Sequence, residues 1–148
     1  MRYQQLVEQH LQKQSATNEL KQKLRTLALK VKIALCHELG ISPDHQVFLE
    51  ECFPSDVVSL KESDTQIDIN ADSTISSEEL PFKFLVNVII HDSDSQYEPM
   101  HRSYEVSVVG TLEEPHYEFE GRSIEGSAAK APKEIAKQIV NDLEIELL

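Results

Sequence analysis

The sequence predicts an α+β fold in two layers: a long N-terminal helix, an antiparallel sheet of four or five strands, and a C-terminal helix packed on the same face of that sheet. Three observations carry this. Residues 20–35 repeat apolar side chains at helical spacing, residues 82–91 alternate apolar and other residues like a strand, and residues 135–147 return to a four-residue apolar repeat. Helix, strands, helix, in that order and within 148 residues, is one domain with helices on one side of a sheet.

The basic helical segment is 1–39. Leu20, Leu24, Leu27, Val31, Ala34 and Leu35 share one face, and no Pro or Gly interrupts before Gly40. Gly40 suits a left-handed C-cap, with Ile41 folding back on Cys36 and Pro43 blocking continuation. The run Ser15-Ala16-Thr17-Asn18 leaves two arrangements open: a break into two helices, because these side chains compete for backbone hydrogen bonds, or one helix of more than thirty residues. Leu29, Ile33 and Cys36 make a second, smaller stripe on another side. A helix apolar on two sides is covered on two sides, here by residues 3–11 folding back or by another subunit. The three residues are therefore candidates for self-association, and a homodimer is the expected state.

The acidic sheet is placed at 45–120. Val47–Leu49, Val57–Leu60 and Gln66–Asn70 read as short strands. Phe82, Phe84, Val86, Val88 and Ile90 form the inward face of a long one, with Lys83 outward. Tyr104, Val106 and Val108 alternate with Ser103, Glu105 and Ser107, then Gly110 and Pro115 bracket a turn before His116–Glu120. The outward side of these last strands is acidic or hydroxylated and should face water. Residues 121–126 read as loop. The C-terminal helix, 128–148, carries Pro132 in its first turn and Ile135, Ile139, Leu143 and Leu147 on one face.

The net charge of −12 is unevenly placed. Residues 1–39 hold seven Lys/Arg against three Asp/Glu, residues 40–127 four against nineteen, and residues 128–148 three against four. Such acidity opposes attraction to nucleic acid or anionic lipid. Cys36 and Cys52 lack metal-binding or redox spacing and sit beside apolar residues, so they are expected to be buried thiols. With no apolar leader at residues 1–14 and no run long enough to span a bilayer, the expected location is cytoplasmic.

Two local patterns resemble known families. Asp68, Asn70, Asp72, Thr74 and Glu79 stand where the twelve-residue loop of the EF-hand family places its calcium ligands, and Leu60–Glu62 resembles the incoming helix. Ser73 occupies the family's glycine position, and Pro81 falls where the exiting helix would run. The resemblance implies a calcium site at 68–79. Later in the chain, the strands around Pro99–Arg102 followed by Lys133-Glu-Ile-Ala-Lys137 resemble the end of a double-stranded RNA-binding domain. That resemblance implies amines at Lys133 and Lys137 meeting phosphates, with Glu134 reversing one charge.

For an enzyme, His91-Asp92 at a strand end, with His101 and His116 across the sheet, is the one candidate acid–base group. No phosphate loop, dinucleotide fingerprint or HExxH is present, and Gly121–Gly126 is one residue too long for a nucleophile elbow. The favoured expectation is therefore a small acidic, non-catalytic protein-interaction module, an inhibitor, immunity or chaperone-like adaptor, that binds a basic partner or itself without a cofactor. A calcium-binding protein is the alternative; a small-molecule enzyme and a divergent double-stranded RNA-binding-like domain come after it.

Overall fold

A computed structural model describes residues 2–50, 53–70 and 75–148 of the chain. The first helix, α1, runs unbroken over Arg2–Leu39. Of the two arrangements left open at Ser15–Asn18, the chain takes the single long helix. With no proline or glycine inside, nothing forces a break, and indifferent helix formers cost only about 0.5 kcal/mol each. Leu24, Leu27, Ala28, Val31, Leu35 and Cys36 are buried.

The helix ends as its sequence dictates. Gly40 takes φ +72°, its N–H donates to the His37 carbonyl at 3.1 Å, and the Ile41 N–H donates to the Cys36 carbonyl at 3.0 Å. This is the Schellman pair of bonds, which satisfies carbonyls the helix would otherwise leave orphaned.

A two-stranded antiparallel hairpin follows, β1 (Gln46–Glu50) with β2 (Phe53–Asp56). The main sheet has six strands, all paired antiparallel: β3 (Val58–Glu62), β4 (Asp68–Ile69), β5 (Phe82–Ile90), β6 (Met100–Gly110), β7 (Pro115–Phe119) and β8 (Arg122–Ser123). Their order across the sheet is β4-β3-β5-β6-β7-β8. Of the two-residue edge strands, β4 falls within the expected Gln66–Asn70, whereas β8 lies where only loop was expected.

Register decides which side is core. Val86 lies opposite Leu60 on one flank and Tyr104 on the other, so alternate residues of every strand point one way. Phe82, Phe84, Val86, Val88, Val106, Val108 and Tyr117 are fully buried on that side. Ile90, expected among them, is only half-buried.

The second helix, α2 (Ala131–Glu146), packs against α1, and both lie on the buried face. Its apolar stripe is Ile135, Ile139 and Leu143; Leu147 falls beyond the last turn and is 59% exposed. Two phenols tie the layers together. The Tyr117 hydroxyl donates to the Leu27 carbonyl of α1 at 2.7 Å, and the Tyr104 hydroxyl donates to Asp142 of α2 at 2.6 Å. Among the described residues no helix is long and apolar enough to cross a membrane.

Candidate functional site

Among the described residues, helices cover only one side of the sheet. Since Tyr104, Val106, Val108, Tyr117 and Phe119 take the inner positions of β6 and β7, Glu105, Ser107, His116 and Glu118 fall on the opposite face, with Ser107 directly beside Glu118. The following turn adds another carboxylate. Glu120 and Gly121 have φ +49° and +79°, the two left-handed central residues of a two-residue hairpin turn. This turn joins β7 to β8, where only loop was expected.

The Glu120 side chain accepts from the Glu105 N–H at 3.0 Å, and the Glu120 N–H donates to the Glu105 carbonyl at 2.9 Å. The β6–β7 turn adds exposed Glu113 and Glu114. These carboxylates are spread along the β6–β7 hairpin, Glu113 and Glu114 at its closing turn and Glu105 with Glu120 at the opposite end of its paired part. As expected this face is acidic and hydroxylated, but Ser107 is 8% exposed because longer neighbours flank it.

On the same face, a groove of about 540 Å³ lies between the β1–β2 hairpin and strands β3, β5 and β6. Its lining includes Lys32, Lys61, Asn87, His101 and Ser103 over a partly apolar floor of Leu85 and Ile89. Lys32 pairs with Asp56 at 3.9 Å. Charges of both signs line it; among the carboxylates of β6 and β7 the outward Lys83, beside Ser107, is a cation on the same face. The hairpin beside it exposes Phe48 and Phe53, at 48% and 66%.

The self-association candidates are split by the structure. Cys36 is in the core, 1% exposed and free, and burial pushes its thiol pKa up. Leu29 is half-buried and Ile33 is 56% exposed. Residues 3–11 continue the helix away from this stripe, so they do not fold back over it, and one of the two expected covers is removed. Cys52 lies outside the described residues.

Of the residues placed at the calcium loop, Asp68 sits in β4 opposite Lys61, and Asn70 and Glu79 are exposed. Asp72 and Thr74 lie outside the described residues. The flanks differ from the helices that the resemblance implies. Leu60–Glu62 belongs to β3, and the cis bond Leu80–Pro81 leads into β5. Val58 and Leu60 alternate toward the core, a strand signal that overrides the charged Lys61-Glu62. No group of three or more His, Cys, Asp or Glu able to hold a metal is found among the described residues.

The histidines separate as well. His101 lies opposite Ile89, two residues from His91, but His116 pairs with Val109. Eight residues along β6 from His101 is about 27 Å, far beyond any shared proton. Lys133 and Lys137 are exposed on α2, one helical turn apart, with Glu134 beside them.

Sequence reasoning missed Glu62. It is 2% exposed, on the inward side of β3. Its carboxylate accepts from the Ser76 and Ser77 N–H groups and from the Ser76 and Thr65 hydroxyls, all at 3.0–3.1 Å. Burial alone would raise its pKa; the hydrogen bonds from Ser76, Ser77 and Thr65 outweigh that and lower it. The signal was present in the alternation Val58-Ser-Leu60-Lys-Glu62, which puts Glu62 with the two apolar residues. Its bonds fix the segment after residue 74 against the sheet, a structural duty.

Comparison of the chain with protein-family models, with curated proteins and with solved structures found no match.

Proposed function

We propose that this chain is a cytoplasmic, non-catalytic protein-interaction module, an inhibitor, immunity or chaperone-like adaptor, which binds a basic partner through the acidic β6–β7 part of its open sheet face and itself through α1. The observation that carries the reading is the gathering of Glu105, Glu113, Glu114, Glu118 and Glu120 around β6 and β7 on a face that no helix covers. Five carboxylates against the single lysine Lys83 beside them leave a net negative field extending roughly a Debye length, about 8 Å at physiological salt. That field speeds encounter with a cationic partner and disfavours acidic ones. Seven of the fourteen Lys and Arg residues lie in 1–39, so α1 offers a different surface from the open face of the sheet.

The test is fluorescence anisotropy with labelled Lys/Arg-rich peptides, and with charge-inverted peptides as controls, at about 20 mM and about 300 mM salt. The basic peptides should bind at low salt, with affinity falling about tenfold or more at high salt. A triple substitution, Glu113→Gln, Glu114→Gln and Glu118→Gln, should weaken that binding while leaving thermal unfolding nearly unchanged. Equal affinity for both peptide sets, or indifference to the triple substitution, would remove the acidic face as the binding surface.

A further inference from the structure

We propose that residues Arg2–Glu19 of α1 form an arm that pairs with the same arm of a second copy of this chain, antiparallel, about a two-fold axis beside Val7. The proposal rests on α1 as a self-association element and moves the principal contact from Leu29 and Ile33 to the arm.

From Arg2 to Glu19 no side chain is buried; only Val7 and Thr17 are even half-buried. The core begins at Leu24, with Leu20 at its border. At a rise of 1.5 Å per residue these eighteen residues reach about 27 Å past the body. A helix of this length without tertiary contact is marginal in water. The arm has no acidic residue in its first turn, and Ser15, Thr17 and Asn18 are weak helix formers. It needs something to pack against.

Its apolar residues say where. Tyr3, Leu6, Val7 and Leu11 are spaced three, four and eight apart, which gathers them on one helix face. Tyr3 is 75% exposed, and Leu6 and Leu11 are each 57% exposed. Three of the four, Tyr3, Val7 and Leu11, are also self-complementary, while Leu6 falls opposite position 8. Tyr3 and Leu11 lie four residues either side of Val7, so an antiparallel pair with Val7 against Val7 puts each Tyr3 opposite the other copy's Leu11. An isologous contact has this property: the same patch matches itself under a two-fold axis.

Charge leaves the arm as the surface where a second copy can approach. The chain carries −12 overall, so two copies repel across most of their surfaces. Within the arm Arg2 and Lys13 balance Glu8 and Glu19, and the remaining polar positions are largely glutamine. Neither a basic nor an acidic partner gains from a neutral arm, and a membrane-surface helix would carry Lys and Arg along its polar side.

Four apolar side chains per arm make a small interface, so association should fall in the micromolar range. Analytical ultracentrifugation of the full chain between about 1 and about 100 μM should show a concentration-dependent rise from 16.8 kDa toward twice that mass. The double variant Leu6→Glu, Leu11→Glu should raise the dissociation constant tenfold or more, while the body unfolds at the wild-type temperature. The variant Leu29→Glu, Ile33→Glu should change it little. If the Leu29, Ile33 variant dissociates and the arm variant does not, self-association through α1 stands and the arm proposal falls.

A monomer at 100 μM overturns both. Orientation is read by disulfide formation, with the wild type as control for its own cysteines. Val7→Cys should give a covalent dimer and Gln14→Cys none. Cross-linking at both positions would mean a parallel pair, and at neither no pairing at Val7; each result overturns the proposal.

Discussion

Glu62 faces inward beside Val58 and Leu60, yet its carboxylate oxygens are supplied with donors from Ser76, Ser77 and Thr65. A buried charge left without donors costs several kcal/mol; one that is fully bonded does not. Because its pKa in the folded chain is lowered from 4.5, folding is favoured by the ionised form. That stabilisation is complete above the unfolded-state pKa and disappears as pH falls through the folded value. Glu62→Gln keeps the shape and one acceptor oxygen but gives up the charge-assisted bonds, and should cost about 2–3 kcal/mol at pH 7. Urea unfolding at pH 7 and in progressively more acid buffer should show the gap between wild type and variant narrowing as Glu62 takes up its proton in the folded chain. A gap that stays constant with pH would mean the hydrogen bonds do not depend on the charge.

Elements long enough to show a period were legible, as was the two-residue β4 inside Gln66–Asn70; β2 and β8 were not. Nine residues of β5 alternate, and Phe82, Phe84, Val86 and Val88 are buried as that alternation requires. Phe84→Ala should therefore cost about 3–5 kcal/mol by chemical denaturation, and Lys83→Ala less than about 0.5 kcal/mol; similar losses at both would mean a different register. By contrast β2 hides behind Pro54, and β8 rests on two residues after a turn whose Glu120 adopts a conformation usually left to glycine or asparagine. The burial of Glu62 was encoded in plain alternation but masked by its charge. The scattering of the histidines depended on how far β6 extends, a tertiary fact. The hairpin glycines give a sharper test of turn chemistry. Gly121 (φ +79°) has nothing within 4 Å of an added Cβ, whereas at Gly110 (φ +89°) that atom would meet the Glu114 carbonyl oxygen at 2.8 Å. Gly121→Ala should cost only the backbone strain, about 1–2 kcal/mol. Gly110→Ala should cost more, and equal losses in thermal melts would show that the β6–β7 turn yields to the clash.

Across the whole molecule, self-repulsion dominates the electrostatics. Lys32–Asp56 and Lys21–Glu78, both at 3.9 Å, and the bidentate Arg102–Glu146 pair are partly exposed, and pairs of this kind are screened by solvent and contribute little. Nineteen acidic against four basic residues in 40–127 oppose compaction over a far larger area. Neutral salt should therefore raise the melting temperature between about 20 mM and about 300 mM; a fall would mean the ion pairs outweigh the repulsion. The continuity of α1 has a different, geometrical consequence. Arg2 to Leu39 is one hydrogen-bonded rod, so the compass bearing of Tyr3, Leu6, Val7 and Leu11 relative to the core is fixed by the number of residues separating Leu11 from Leu24. Adding one residue there would swing that bearing by about 100° and lengthen the rod by 1.5 Å without breaking a single core contact. Adding seven would bring it back to within about 20°. The stretch containing Ser15–Asn18, otherwise indifferent in composition, thus acts as a spacer whose length alone sets the phase between what the body holds and what the arm presents.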